Sequence, residues 1–468
     1  MKIKSLWIQK YQKYENCNIV FDEHLKYSKF QKEIFGNMNI LLFSGENGAG
    51  KTTILSFITY IFRYIQRYRE RFKSDYRISY DIKIKKSIFN VILEKSNMDI
   101  YIKINDKKYY IQEYKIAPKK GYYQNFNIKN IEQVTYDKIK KFLPSQVYVL
   151  GFDNSYEKLY YASNYIGDRL VKYRPISESY SITSRGNDIS LGIAHIYHKI
   201  IKNKQLQNMF ESLKLKLSSY VDIYVNIERC SIIRGNYMLN DIDYIKVLNT
   251  GDIDKIYSDS EIEKYIENCD SEYNKRFRIM DYLKTKKRFY VLNELIDKKI
   301  IYINEFYINK NGIDIPIKDM STGEKSFLFD LFSICSNLKE NSLIIWEEPE
   351  THLNMKWSKN LIPLLVELTK ENNIQWIFSS HSTYMIKNLF QNQIIRLKEK
   401  RLETPDFNTF LANDTEIYKR LFEDGEENLF EKKVFKYIQN NDHELKYELL
   451  KILGESYLTF MIYKSMEN

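Results

Sequence analysis

Long apolar runs are missing from this chain of 468 residues; none approaches the roughly 20 residues that cross a bilayer. The opening Met-Lys-Ile-Lys-Ser-Leu-Trp-Ile is too poor in apolar residues for a signal peptide. Both absences point to a soluble cytoplasmic protein with no membrane partner. Cysteine is scarce. Cys17, Cys230, Cys269 and Cys335 are scattered with no pair at metal-ligand spacing, which argues for a reduced compartment and against a disulfide framework. Neither an internal repeat nor a low-complexity linker interrupts the chain. What is present is an apolar fraction of 44% and 40 tyrosines, enough core for two or three compact units. The net charge of +11 leaves nucleic-acid contact open. However, lysine is abundant everywhere, and the basic, aromatic-rich stretches Arg63–Lys73 and Lys275–Arg288 read as solvated helix faces.

Residues 39 to 53 carry the most specific signal. The apolar run Ile40 to Phe43 reads as a buried strand, and Ile54 to Ile65 as an apolar helix. Between them, Gly45, Gly50, Lys51 and Thr52 fit the phosphate-loop spacing G-x-x-x-x-G-K-[ST]. In such a loop the backbone of Asn47, Gly48, Ala49 and Gly50 curls around phosphate oxygens, and the helix N-terminus adds favourable dipole charge. Lys51 reaches the outer phosphates, Thr52 holds Mg²⁺ through its hydroxyl, and Thr53 is the last of the expected ATP-binding residues. The cofactors expected are therefore ATP, or another nucleoside triphosphate, and Mg²⁺.

Four further segments follow in an informative order. Met320-Ser321-Thr322-Gly323-Glu324-Lys325 is a small-residue turn entering an apolar helix from Phe327 to Leu338, an anion site by its capping geometry. Leu343 to Trp346 is a buried strand ending in Glu347-Glu348-Pro349-Glu350. Glu347 is placed to hold Mg²⁺, and Glu348 to polarise an attacking water. Thr351-His352-Leu353-Asn354 comes next. Last, Ile374 to Phe378 is a strand ending at Ser379-Ser380-His381-Ser382, where His381 can donate a hydrogen bond to a γ-phosphate.

Taken in this order, these segments resemble an ABC-type ATPase of the SMC and RecF branch. The run Glu347-Glu348-Pro349-Glu350-Thr351-His352-Leu353 is similar to that of the AAA-type ATPases of bacterial anti-phage systems of the Septu, retron and PARIS kinds. The resemblance implies an α/β fold: an ABC-type ATPase head, with a phosphate-loop mixed sheet plus an antiparallel β-subdomain, a largely helical insertion and a helical C-terminal tail. It also implies a homodimer or higher homo-oligomer in which two heads sandwich two ATPs. Ser321, Gly323 and Glu324 would then act as the signature on the other subunit's nucleotide, and Asn354 would occupy the D-loop position. Departures from the pattern are Glu347 in place of the commoner aspartate, and Asn354-Met355 in place of His-Pro. No clear glutamine loop is visible. Asp153-Asn154-Ser155, after the buried strand Gln146 to Phe152, is the positional substitute.

The expected organisation is an N-terminal ATPase lobe over 1–160, a mostly helical insertion over 161–299, a C-terminal ATPase lobe over 300–400 and a helical tail over 401–468. Alternation at Tyr80, Ile82 and Ile84 and at Ile100, Ile102 and Ile104 suggests antiparallel strands. Ile300 to Tyr307 and Ile313 to Ile317 flank an Asn311-Gly312 turn, a hairpin signal. A helical hairpin from Ser190 to Lys299 would project only about 70–80 Å at 1.5 Å per residue, too short for an SMC rod.

Nuclease residues are not apparent. The pairs Asp241-Ile242-Asp243 and Asp252-Ile253-Asp254 read as turn aspartates, and the tail holds a single histidine, His443. The expectation is an ATPase that works with a separately encoded effector, a nuclease or other toxin, in anti-phage defence. A RecF-like DNA-repair ATPase and a nucleotide-stabilised scaffold are the alternatives.

Overall fold

The computed structural model describes residues 1–46, 48–67, 74–97, 99–111, 131–151, 171–175, 182–225, 275–297, 301–336, 338–351, 353–398, 401–422, 434, 436, 443–452 and 457–467. Asn47, Asp153-Asn154-Ser155, both Asp-x-Asp pairs and His352 lie outside them, as does part of the expected helical tail, most of it between residues 423 and 442. The described chain falls into two compact units, Met1–Leu411 and Ala412–Asn468.

Three sheets build the first unit. The strands in chain order are β1 (Lys2–Tyr11), β2 (Tyr14–Val20), β3 (Asn39–Gly45), β4 (Tyr76–Ile84), β5 (Ser87–Ser96), β6 (Asp99–Ile104), β7 (Lys107–Ile111) and β8 (Glu132–Val134). They continue as β9 (Val147–Gly151), β10 (Val171–Pro175), β11 (Leu217–Val225), β12 (Lys275–Phe277), β13 (Ile301–Lys310), β14 (Ile313–Pro316), β15 (Leu343–Glu347), β16 (Gln375–Ser379), β17 (Ile394–Lys398) and β18 (Arg401–Glu403). The first sheet has the order β2-β1-β4-β5-β6-β7-β8 and is antiparallel up to its last, parallel pair. The second has the order β10-β9-β15-β16-β3-β17-β18 and is parallel except at β17–β18.

The central strands β3, β9, β15 and β16 of the second sheet are apolar almost throughout because both faces are covered. One face, with Leu41, Phe43, Ile345 and Ile377, shares a core with the first sheet and with helix Lys51–Arg67. Residues 53–62 of that helix are buried on every side, as expected of a helix enclosed in a core. Phe57 meets Tyr11 at 4.8 Å and Tyr76 at 6.3 Å, and Phe62 meets Tyr80 at 5.8 Å. The phosphate-loop helix is thus held in place by the antiparallel subdomain.

The third sheet, β12-β11-β13-β14, is antiparallel, and its β13–β14 turn has Asn311 and Gly312 both at positive φ. Phe306 on β13 packs against Tyr197 of helix Ile182–Lys202 and Phe332 of helix Thr322–Ser336. Those two helices approach so closely that a Cβ on Gly192 would lie 1.8 Å from the Phe332 carbonyl oxygen. This contact fixes the helix that begins at the Ser321 turn.

The structure adds strands to the segment read as largely helical from Ser190. Leu217, Val221 and Ile223 put buried apolar side chains on one face of β11, and β12 pairs beside it. The alternation there is broken by a bulge between Leu217 and Val221, which hides the period-2 signal. Arg401–Glu403 pairs with β17, so residues 401–411 belong with the first unit rather than with the tail. The second unit contains helices Asp414–Phe422, His443–Ile452 and Tyr457–Glu467.

Candidate functional site

Parallel pairing aligns the carboxyl ends of three strands. Glu347 on β15 stands opposite Ser379 on β16, and Ser379 opposite Phe43 on β3. The segments that follow, Glu348–Glu350, Ser380–Ser382 and Glu46–Lys51, therefore meet at one sheet edge. Such an edge, where β15 and β16 pack beside a strand from the other end of the chain, is the usual ligand crevice of open α/β sheets.

The loop after β3 has the conformation its glycines predict. Gly45, Gly48 and Gly50 all have positive φ, at 143°, 76° and 106°. At Gly45 a side chain is excluded twice over, since a Cβ would also lie 2.4 Å from the Leu397 carbonyl oxygen. Lys51, only 6% exposed, donates to the carbonyl oxygens of Gly45 at 2.8 Å and Glu46 at 3.1 Å. It also donates to His381 Nε2 at 2.8 Å. Burial lowers the Lys51 ammonium to about 8, against the pull of Glu348, Glu347 and Glu350.

Burial, and then the Lys51 charge, push His381 down to about 4. The imidazole is neutral at pH 7, and with Lys51 donating to Nε2 the ring proton resides on Nδ1. His381 Nε2 also lies 3.7 Å from Glu348 Oε1, a contact that becomes an ion pair only if the ring is protonated. Glu348 is half exposed and carries a φ of 44°, a left-handed conformation uncommon outside glycine. Its N–H donates to Ser379 O at 2.9 Å, and its carbonyl accepts from Thr351 N at 3.0 Å, which holds the turn in place. Glu347 ends β15 and is 3% exposed.

Sequence reasoning gave Glu350 no role, and the structure gives it a central one. Its Oε1 accepts from Ser380 Oγ at 2.5 Å, His381 N at 3.1 Å and Ser382 N at 3.2 Å. Burial pushes its carboxyl above the ordinary range, opposed by those hydrogen bonds. Three more residues escaped notice: Gln12, Lys13 and Tyr14, at the β1–β2 turn. Gln12 Oε1 accepts from Thr53 Oγ1 at 2.8 Å, Lys13 donates to Gly48 O, and Tyr14 OH donates to the carbonyls of Ala49 and Gly50 at 3.3 Å. No local pattern marks these side chains, because their meaning depends on a partner about 35 residues away.

The Ser321 turn is a separate construction. Glu324 accepts from Ser321 N at 3.0 Å and Ser321 Oγ at 3.1 Å, while Ser321 Oγ accepts from Glu324 N at 3.3 Å, a complete capping box. Lys310 pairs with Glu324 at 2.7 Å. Burial works against it, but Lys310 and the Ser321 donors hold the Glu324 carboxyl below its usual range. Ser321 is exposed and Gly323 half-buried, and these hydrogen bonds stay within the turn and Lys310. Asn354 caps helix Met355–Thr369 by accepting from Trp357 N at 3.0 Å. The structure thus brings Lys51, Glu348 and His381 together and leaves Ser321, Gly323 and Glu324 in a group of their own.

Residues 40–387 match the family described as "AAA domain, putative AbiEii toxin, Type IV TA system". The chain belongs to this AAA-domain family. It is accordingly an ATPase of the AAA class, and the matched span contains every one of the motifs above. No significant match was found among curated proteins. Solved structures similar to this AAA-family chain include an SMC head bound to the C-winged helix domain of ScpA, at 12% identity over 86% of this chain and 97% of that one, with a TM-score of 0.37. The SMC head domain from Thermotoga maritima follows at 11% identity, 84% and 94% coverage, and a TM-score of 0.35. An Smc head with an extended coiled coil, bound to the C-terminal domain of ScpA derived from Pyrococcus furiosus, has 13% identity, 89% and 98% coverage, and a TM-score of 0.37. At such scores the fold rests on the strand order itself. Among the described residues no helix is long and apolar enough to cross a membrane.

Proposed function

We propose that this AAA-family chain binds ATP with Mg²⁺ at the tips of β3, β16 and β15 and hydrolyses it, as the cytoplasmic ATPase subunit of a bacterial anti-phage defence complex. The observation that carries the ATP site is the convergence of Lys51, His381 and Glu348 from three strand ends. Phosphate oxygens would replace the Gly45, Glu46 and His381 acceptors that now hold the Lys51 ammonium. A neutral His381 can donate to a γ-phosphate through a ring N–H. Glu348, half exposed beside His381, suits a general base for water.

The donor set also fits Mg²⁺. Thr52 lies in the first turn of the helix beside the loop, Glu347 ends β15, and hard oxygen donors with substrate phosphates are what this ion takes. When bound, the ion would neutralise phosphate charge. Glu347 and Thr52 would orient it.

A closed site needs a second copy in this reading. Ser321, Gly323 and Glu324 form a preformed helix start with Ser321 exposed, set in this reading to meet a nucleotide held by another subunit. Asn354 would stand at the same interface. The family description names a putative toxin of a toxin–antitoxin system, a setting in which a chain works with a separately encoded counterpart. The exposed Tyr447, Phe460 and Tyr463 of the second unit are suited to protein contact.

A DNA-repair role is the second reading. It draws on the exposed Arg276 and Arg278, whose guanidinium groups lie 4.8 Å and 5.6 Å from the Tyr220 ring. Gentle purification of the tagged chain from its host, with ATP present, separates the two. Co-purification of a stoichiometric nuclease or other toxin supports the defence complex. Recovery with DNA and recombination proteins overturns it in favour of repair.

A further inference from the structure

We infer that Glu350 is a positioning residue for ATP hydrolysis, a strut that locks the loop carrying His381 to the turn carrying Glu348. The inference rests on the ATPase site proposed above and assigns the one buried carboxylate in it that the mechanism does not use.

Glu350 sits on the turn after β15, but its Oε1 reaches the neighbouring strand end and collects all three donors of Ser380 Oγ, His381 N and Ser382 N. The loop is further tied by Ser382 N donating to Ser380 Oγ at 2.9 Å and by Ser380 N donating to Phe43 O at 3.1 Å. On its own side, the Glu350 carbonyl accepts from Leu353 N at 3.0 Å, two residues on from the Glu348–Thr351 bond. One side chain therefore spans the two segments that deliver the base and the histidine.

The arrangement has a chemical logic. Two successive N–H groups and a hydroxyl at a strand tip form a concavity that would otherwise attract an anion. Glu350 fills it, so no phosphate can settle there, and the loop remains aimed at Lys51. Its second oxygen, Oε2, is buried without a hydrogen-bond partner among the described residues. A carboxylate accepted in so poor a site is placed for geometry rather than for solvation. Asparagine or aspartate would fall one methylene short, whereas glutamine preserves the acceptor oxygen at the same reach.

Glu350 acts through His381 and never touches nucleotide, so its effect belongs in turnover and not in ATP affinity. The test is a double-mutant cycle on the full chain, with ATP affinity and kcat measured for the wild type, E350A, E350Q, H381A and the E350A/H381A pair. Expected results are an unchanged Kd for ATP in E350A and E350Q, a kcat loss on the order of 10²-fold in E350A, and substantial recovery in E350Q. E350A should cost little more once His381 is already gone. Equal losses in the wild-type and H381A backgrounds would overturn the inference, because Glu350 would then act independently of the histidine. So would a loss confined to ATP affinity, or an E350Q variant as impaired as E350A while both remain folded by circular dichroism. A wild-type chain that turns over no ATP would sink the ATPase site itself, and the inference with it. The wild-type control distinguishes that failure from the others.

Discussion

Two anion-directed constructions occupy the first unit, and they are built in opposite ways. Around Lys51, side chains from three strand ends converge, each buried or half-buried and each bonded to another segment of the chain. Around Ser321, the contacts are local, a capping box with Lys310 beside it, and the hydroxyl faces solvent. The first is a site assembled by long-range folding within one chain. The second is a local turn whose partners lie within it and on Lys310. That contrast supports the proposal of a nucleotide shared between two copies, and each half can be broken separately.

The largest effect should come from Lys51. Lys51→Ala removes the only cation donating into the loop carbonyls of Gly45 and Glu46 among the described residues. ATP binding should vanish in a calorimetric titration; an unchanged affinity would remove the phosphate-loop assignment. Glu348→Gln comes next. It should leave affinity intact, slow hydrolysis by about 10²–10⁴-fold and trap a closed dimer with ATP, which turnover and light scattering would register. Normal turnover would put the base elsewhere.

Ser321→Arg should leave the affinity of a single head within a few-fold but lower steady-state turnover on the order of 10²-fold, by analogy with removing a donor to transition-state charge. A matching loss of ATP affinity would mean that Ser321 serves the nucleotide of its own chain.

The smallest effect concerns pH. His381 is held at about 4 against an ordinary 6.5, so the unfolded chain binds this proton more readily than the folded one. The associated stability is present above pH 6.5 and is lost as pH falls towards about 4. Thermal midpoints of the nucleotide-free protein should therefore drop further over that window than those of His381→Asn, by at most a few °C (~1–4 °C). Glu350 shifts the opposite way in both proteins, so the comparison isolates the histidine. Identical slopes would argue against a buried, neutral His381.

Much of the Lys51 half could be read from the chain because its determinants are local. Glycines at fixed offsets impose the loop, and unbroken apolar runs mark β3, β15 and β16 as strands covered on both faces. The Ser321 turn was equally visible, since a capping box lies within four residues. What stayed hidden depends on tertiary placement. Gln12, Lys13 and Tyr14 become neighbours of the loop only when the β1–β2 turn folds over it. Glu350 looked like one more carboxylate in an acidic run until the parallel register of β15 and β16 brought Ser380–Ser382 within its reach. The bulge in β11 likewise disguised a strand that sequence periodicity assigned to a helical segment.

The most direct test of a shared site is complementation. Lys51→Ala and Ser321→Arg chains, each inactive alone, are mixed, exchanged and assayed for ATP turnover. In a mixed pair one composite site joins an intact Lys51 from one copy to an intact Ser321 from the other, so activity should reappear well above the sum of the two separate proteins. If the mixture hydrolyses no more ATP than that sum, both halves serve the same chain, and the account of a nucleotide held between two copies is wrong.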